Sequence, residues 1–232
     1  MKLAIMQPYL FPYIGYFQLI NYVDKFIILD DVNYINKGWI NRNNILLNSG
    51  AHLFTIPVAG ASQNKLINEL SVMDELKWRS KFLRLIQMAY SKAPEYHQIF
   101  PLVENIIQNP SLNLSLYTFH SIKLICGFMK IDTPLVASSS VYENNTLKAE
   151  RRILDICLRE KATEYINPIG GINLYDKDEF ARHGIRLSFM SPQIKPYPQF
   201  ASEFVPYLSV IDTLMFQPLV GAQSKLNEFL LS

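Results

Sequence analysis

Apolar side chains recur along this chain with two spacings, and the alternation between them predicts an α/β protein. Residues 2–6 form a short apolar run suited to an interior strand, and Pro8 and Pro12 end it because neither can donate to a sheet ladder. Ile14, Phe17, Leu19 and Ile20 then follow helical spacing, which predicts a helix from Ile14 to Tyr22 with Gly15 at its start. A second strand over 25–29 completes a βαβ unit, with a parallel pair and a right-handed crossover expected. The next segment, VNYINKGWINRNNILL, reads as a loop or hairpin bending at Lys37-Gly38. It leads to strands over 45–47, 52–58 and 67–72.

Helices over 77–92, 96–108 and 112–129 make up the middle of the chain, the first with Trp78, Phe82, Leu85, Ile86 and Ala89 on its apolar face. Alternation then resumes: strand 135–137, helix 146–161, strand 164–166, helix 176–183 and strand 185–190. After a proline-rich passage two terminal helices are predicted over 207–215 and 219–230. The fold class expected is α/β: an open, mostly parallel sheet with a Rossmann-like (nucleotidyltransferase-like) βαβ start and a helical middle lobe. The whole of 1–232 reads as one domain, with 77–130 as a helical sub-lobe.

Composition narrows the function classes. An apolar fraction of 49% and a charged fraction of 18% describe a folded chain with a sizeable core. A net charge of +2 makes no global case for wrapping nucleic acid. The sequence shows neither a basic-then-apolar leader nor an apolar stretch near the length of a membrane span, so a cytoplasmic protein without a span is expected. Cys126 and Cys157 fall in apolar helical patterns and read as reduced core residues. His52, His97, His120 and His183 are scattered without metal-ligand spacing, so no metal site is expected. Thirteen tyrosines and fourteen phenylalanines, with many amides, suit a pocket for sugars or nucleosides as well as ordinary half-buried packing.

The opening turn and three further constellations could carry chemistry. The 7–16 turn joins a strand end to a helix N-terminus, whose free N–H groups can seat an anion. There Tyr13-Ile14-Gly15-Tyr16 resembles the H-x-G-H turn of adenylyl-transferring proteins, with both imidazoles replaced by phenols. Asp30-Asp31 ends the second strand, where a carboxylate could bind magnesium, act as a base or hold sugar hydroxyls; the plainer alternative is a turn cap and a lysine pair. Lys37, Trp39, Asn41, Arg42 and Asn43 follow: the two amides share one face of an extended segment, with Arg42 on the other. The third is Asn167-Pro168-Ile169-Gly170-Gly171 with Tyr175, a glycine turn after a strand that reads equally as a ligand approach or a simple bend. No G-x-S-x-G elbow or Walker loop occurs.

QPYLFPYIGYFQLI, the segment ending at Asp31-Val32, Gly38 to Asn43 (G-W-x-N-R-N), Lys77-Trp78, the Ala-Tyr-Ser-Lys-Ala-Pro of 89–94, the Tyr165 to Asp176 block and Leu208 to Asp212 together resemble the WbqC-like family over nearly the whole chain. That resemblance implies a role in bacterial surface-polysaccharide (O-antigen) biosynthesis: adding an acyl or aminoacyl group such as glycyl to an amino sugar. Phe82 stands where the resemblance would lead one to expect a histidine. With the residues above, it implies a nucleotide-linked amino sugar across the carboxyl edge of the sheet. Asp31, Tyr16 and Arg42 are the expected catalytic set. Gln7, Tyr9, Tyr13, Gly15, Asp30, Tyr34, Lys37, Trp39, Asn41, Asn43, Asn167, Gly170, Gly171 and Tyr175 are the expected binding set.

On this expectation Asp31→Asn or Arg42→Ala abolishes transfer with little loss of folding. The acyl donor stays open between a thioester on an acyl-carrier protein, an aminoacyl-tRNA and an adenylate made from ATP. Two alternatives stand beside the transferase: an ATP-dependent amide ligase that forms an acyl-adenylate, and a non-catalytic sugar-nucleotide-binding module. The apolar terminal helices leave a homodimer contact open.

Overall fold

The computed structural model describes residues 1–232, Leu76 by its main chain alone. The chain opens with β1 (Lys2–Met6), α1 (Ile14–Tyr22) and β2 (Lys25–Ile28), then a hairpin of β3 (Arg42–Leu47) and β4 (Gly50–Thr55). A two-residue pair, β5 (Val58–Ala59) with β6 (Ser71–Val72), precedes α2 (Leu76–Tyr90), α3 (Tyr96–Ile107) and α4 (Leu114–Met129). The rest is β7 (Leu135–Val136), α5 (Ala149–Arg159), β8 (Glu164–Pro168), α6 (Lys177–Arg182), β9 (Arg186–Pro192), α7 (Val210–Phe216), α8 (Leu219–Ser224) and β10 (Phe229–Leu231).

Six strands form the central sheet in the order β10-β9-β8-β1-β2-β7, parallel except for β10 against β9. Alternation along each strand splits the core in two. Ala4, Phe26, Ile28 and Ile166 face α1 and the middle helices, whereas Leu3, Ile5, Ile27 and Tyr165 face α5 and α6. The units β1-α1-β2 and β8-α6-β9 run in opposite directions with their helices on opposite faces, so both have the same hand. Phe82 and Ile86 of α2, Ile99 of α3 and Tyr117 of α4 share one buried cluster with the hairpin and the sheet. Cys126 and Cys157 are buried and unbridged, and burial pushes both thiols up to about 12. Among the described residues no helix is long and apolar enough to cross a membrane.

Three segments depart from the sequence expectation. The strand expected over 67–72 is a 3-10 turn at Ile67–Glu69 followed by β6, because the Glu69 carboxylate accepts from the Leu66 N–H at 2.9 Å and closes the turn. The strand expected over 52–58 stops at Thr55: Ile56 N–H still donates to the Asn41 carbonyl opposite it, but the Ile56 carbonyl is taken by the Asn41 side chain and Pro57 has no N–H, so the next pairing starts afresh at Val58. The last expected helix, over 219–230, ends at Ser224. Gln18 Nε2 holds the carbonyls of Lys225 (2.7 Å) and Glu228 (3.0 Å), and the chain then pairs with the open edge of β9 as β10. A short apolar run such as Phe229-Leu230-Leu231 carries no period that separates strand from helix, so the free sheet edge decides.

Candidate functional site

The chain leaves β1 toward β2 and leaves β8 toward β9, so adjacent β1 and β8 mark the point where strand order reverses. In open α/β sheets the crevice beyond the carboxyl ends of such a strand pair is where ligands bind. Here it holds a cavity of about 430 Å³, lined by residues 6–9, Tyr13, Gly15, Tyr16, Leu19, Ile35, residues 38–40 and Pro168. That volume is within the range of small-molecule sites.

Prolines and backbone carbonyls hold this wall in shape. Leu10 N–H donates to the Ile40 carbonyl at 3.0 Å, which ties the opening turn to the Gly-Trp segment. Phe11 adopts φ +45°, and its carbonyl accepts from Asn43 Nδ2 at 2.6 Å and Ser209 Oγ at 2.9 Å. The Phe11 ring stacks on Phe82, centroids 5.9 Å apart and planes 7° from parallel. The position without a histidine is therefore a packing position, and its ring supports the turn. Tyr16 donates from its hydroxyl to the Gln7 carbonyl at 3.0 Å.

The lining is aromatic. Tyr9 meets Tyr16 edge-on at 6.2 Å and Trp39 at 6.3 Å, tilted by 36°. The Arg42 guanidinium carbon lies 5.4 Å from the Trp39 ring centroid, and Arg42 Nε donates to the Gly38 carbonyl at 2.8 Å. Burial pushes the Tyr9 phenol above its ordinary value, with Tyr13 adding to the rise and Arg42 opposing it; burial likewise raises Tyr13 and Tyr16. At neutral pH all three are protonated hydroxyls, able to donate and unable to act as bases. Gly15 is required by the Tyr13 ring: a Cβ there would stand 2.4 Å from Tyr13 Cε2 and 2.7 Å from Pro192 Cγ. Gly15→Ala is expected to displace that ring and cost about 1–3 kcal/mol, read as a lower urea midpoint at constant slope.

The expected site residues divide into those that reach the cavity and those that hold its walls. Gln7, Tyr9, Tyr13, Gly15, Tyr16 and Trp39 line it. Arg42 stands against the Trp39 wall, and Lys37 is exposed in the turn closed by Gly38 N–H to Ile35 O at 2.9 Å. Asn41 and Asn43 share one face as expected, but that face is interior. Tyr34 donates to Asn41 Oδ1 at 2.8 Å, Asn41 Nδ2 donates to Ile56 O at 2.7 Å, and Asn43 holds Phe11.

Asp30 and Asp31 are both buried away from the lining. Asp30 accepts from Ser115 Oγ at 2.6 Å, Ser138 Oγ at 2.7 Å and Ser139 N–H at 3.2 Å. Asp31, 7% exposed, pairs with Arg152 Nη2 at 2.5 Å and accepts from Ser139 Oγ. A carboxylate enclosed by a guanidinium and a hydroxyl has no route to a ligand amine in the cavity. The third constellation contributes Pro168 alone to the lining. Asn167 Nδ2 donates to Tyr165 Oη at 2.8 Å, Tyr175 packs edge-on to Tyr165 at 5.6 Å, and a Cβ on Gly171 would meet Asn167 Oδ1 at 2.1 Å. Gly170 has open space where a side chain would stand.

The lining residues outside the expected catalytic and binding sets are Met6, Pro8, Leu19, Ile35, Gly38, Ile40 and Pro168, none with a polar side chain. No pattern separates an apolar side chain that lines a cavity from one that fills a core. Arg152 did leave a signal, since it lies one helical turn before Ile156 on the buried face of α5. Among the described residues no group of three or more His, Cys, Asp or Glu side chains is placed to hold a metal ion.

Residues 7–223 match the WbqC-like protein family, a span that includes every lining residue except Met6. The chain is 33% identical over 227 residues to an uncharacterized protein, Rv1507c, of Mycobacterium tuberculosis, with 96% of this chain and 95% of the relative covered. No solved structure matches it.

Proposed function

We propose, from the premise that this chain belongs to the WbqC-like protein family, that it transfers an acyl or aminoacyl group, such as glycyl, to the amine of a nucleotide-linked amino sugar in bacterial surface-polysaccharide biosynthesis. The observation carrying this is the aromatic cavity at the strand-order reversal, where β1 and β8 end. Its flat rings suit a nucleoside or a sugar face. In the reaction the uncharged amine forms the new N–C bond, the bond from the acyl carbon to its leaving group breaks, and the amine proton leaves with that group.

The roles proposed for the side chains are positional and electrostatic. Arg42 holds the phosphates with its two Nη groups, which make no hydrogen bond among the described residues. The Tyr9 and Tyr13 hydroxyls, protonated at neutral pH, are hydrogen-bond donors available to the bound sugar nucleotide. Asp31 leaves the catalytic set because Arg152 encloses it. Arg42→Ala is expected to lower transfer by about tenfold or more with the melting temperature held, since the side chain is half-exposed.

A non-catalytic sugar-nucleotide-binding module is the second reading, favoured by one observation: no carboxylate or imidazole is among the described lining residues. Incubation with nucleotide-linked amino sugars and, in turn, an aminoacyl thioester, an aminoacyl-tRNA, and an amino acid with ATP separates the two by mass spectrometry. An acylated sugar nucleotide made from the thioester or the aminoacyl-tRNA supports the transferase, and one made only from amino acid and ATP selects the amide ligase instead. Binding without product in any combination selects the module, and no binding of any sugar nucleotide ends both.

A further inference from the structure

The cavity wall carries four rings and no charge. Tyr9, Tyr13, Tyr16 and Trp39 share it with aliphatic and proline side chains, and no Lys, Arg, His, Asp or Glu is among the described lining residues. A diphosphate drawn inside would place at least two negative charges in an apolar space with no countercharge. The nearby cations belong to the rim: Lys37 is exposed in the turn before Gly38, and Arg42 lies against the Trp39 ring outside the lining. Trp39 itself is 49% exposed, so its indole reaches from the interior to the mouth.

The polar groups of the lining side chains have a different character. The Tyr9 and Tyr13 hydroxyls and the Gln7 carboxamide make no side-chain hydrogen bond among the described residues, and together they offer donors and acceptors among otherwise apolar lining side chains. An acyl chain offers these groups no hydrogen-bond partner. A planar heterocycle with ring faces for the aromatic walls and heteroatoms at its edge would satisfy both. We infer, resting on the sugar-nucleotide reading, that the cavity takes the nucleobase, packed on Trp39 and Tyr9 and read at its edge by Gln7, Tyr9 and Tyr13. The phosphates stay at the mouth against Arg42 and Lys37, and the sugar amine lies outside the cavity. Acylation then takes place at the rim, where the interior's lack of acid–base groups has no bearing.

The test is titration of the full chain with each common nucleoside, its diphosphate, a hexosamine 1-phosphate, octanoate and complete nucleotide-linked amino sugars. Indole quenching is followed in Trp78→Phe, which leaves Trp39 as the remaining tryptophan of the two, and calorimetry on the unaltered chain gives the same affinities should that variant fold poorly. At least one nucleoside is expected to quench Trp39. Its diphosphate is expected to bind about tenfold tighter or more, a gain that Arg42→Gln erases. Hexosamine 1-phosphate alone is expected to give no quenching. Quenching by hexosamine 1-phosphate or octanoate, with no nucleoside bound, overturns the orientation and leaves the sugar-nucleotide reading standing if complete sugar nucleotides still bind. Failure of every complete sugar nucleotide to bind ends that reading and this inference with it.

Discussion

Arg152→Met is expected to destabilise the fold by about 3–5 kcal/mol, because it strands the Asp31 carboxylate in the interior without its partner. The two side chains are 5% and 6% exposed and meet at 2.5 Å. Arg152 also donates from Nη1 to the Asp31 carbonyl at 3.0 Å and from Nε to Asn144 Oδ1 at 3.0 Å, so one guanidinium joins α5, the segment after β2 and the turn at Asn144. Urea unfolding at neutral pH gives the number. The double variant Asp31→Asn with Arg152→Met should recover part of the loss, since it removes the uncompensated charge along with the pair. The same geometry changes what Asp31→Asn tests. It should lower the melting temperature, whereas Arg42→Ala should not; full thermal stability in Asp31→Asn would remove the ion pair from the account of the fold.

Asp212→Ala is expected to cost a comparable amount, about 3–5 kcal/mol, for the opposite reason: it strands donors. Asp212 is fully buried in α7 and accepts from Tyr90 Oη at 2.9 Å, Tyr197 Oη at 2.8 Å and Gln199 Nε2 at 2.6 Å. The Tyr90 hydroxyl in turn accepts from the Leu46 N–H at 2.9 Å, so the carboxylate fastens α2, β3 and the proline-rich segment to one point. Burial raises the Asp212 pKa above its ordinary 3.8, against the pull of Gln199, Tyr197 and Tyr90 toward the charged form. The folded chain therefore keeps this proton more tightly than the unfolded chain. Its contribution to stability is full below the ordinary value and is lost as pH rises through the raised one. Asp212→Asn should flatten that part of the stability–pH curve while retaining more of the fold than alanine. An unchanged curve would mean that the carboxyl titrates alike in both states.

Much of the fold follows from local chemistry. The apolar run of β1, the prolines at 8 and 12 and the helical spacing after Ile14 are sufficient to specify strand, turn and helix, because each is a property of neighbouring residues. Gln7, Tyr9, Tyr13, Gly15, Tyr16 and Trp39 were legible as site candidates for the same reason: they sit in or beside turns at strand ends, where ligands bind. The alternation that puts Asn41 and Asn43 together was legible too, though which side faced inward was not, since an amide serves a ligand and a buried carbonyl equally well.

The sequence by itself determined the α/β class, most of the elements and their order, the family and the aromatic turn at the first strand's end. The tertiary structure alone decided which polar groups were free. Asp31 and Arg152 lie 121 residues apart and Tyr90 and Asp212 lie 122 apart, separations at which no local pattern records a partner. It also decided that Phe229, Leu230 and Leu231 close the sheet, because an open strand edge exists only after β9 has been placed beside β8. Local spacing sets what a residue can do, and the long-range packing around it sets which of those capacities stays available to a ligand.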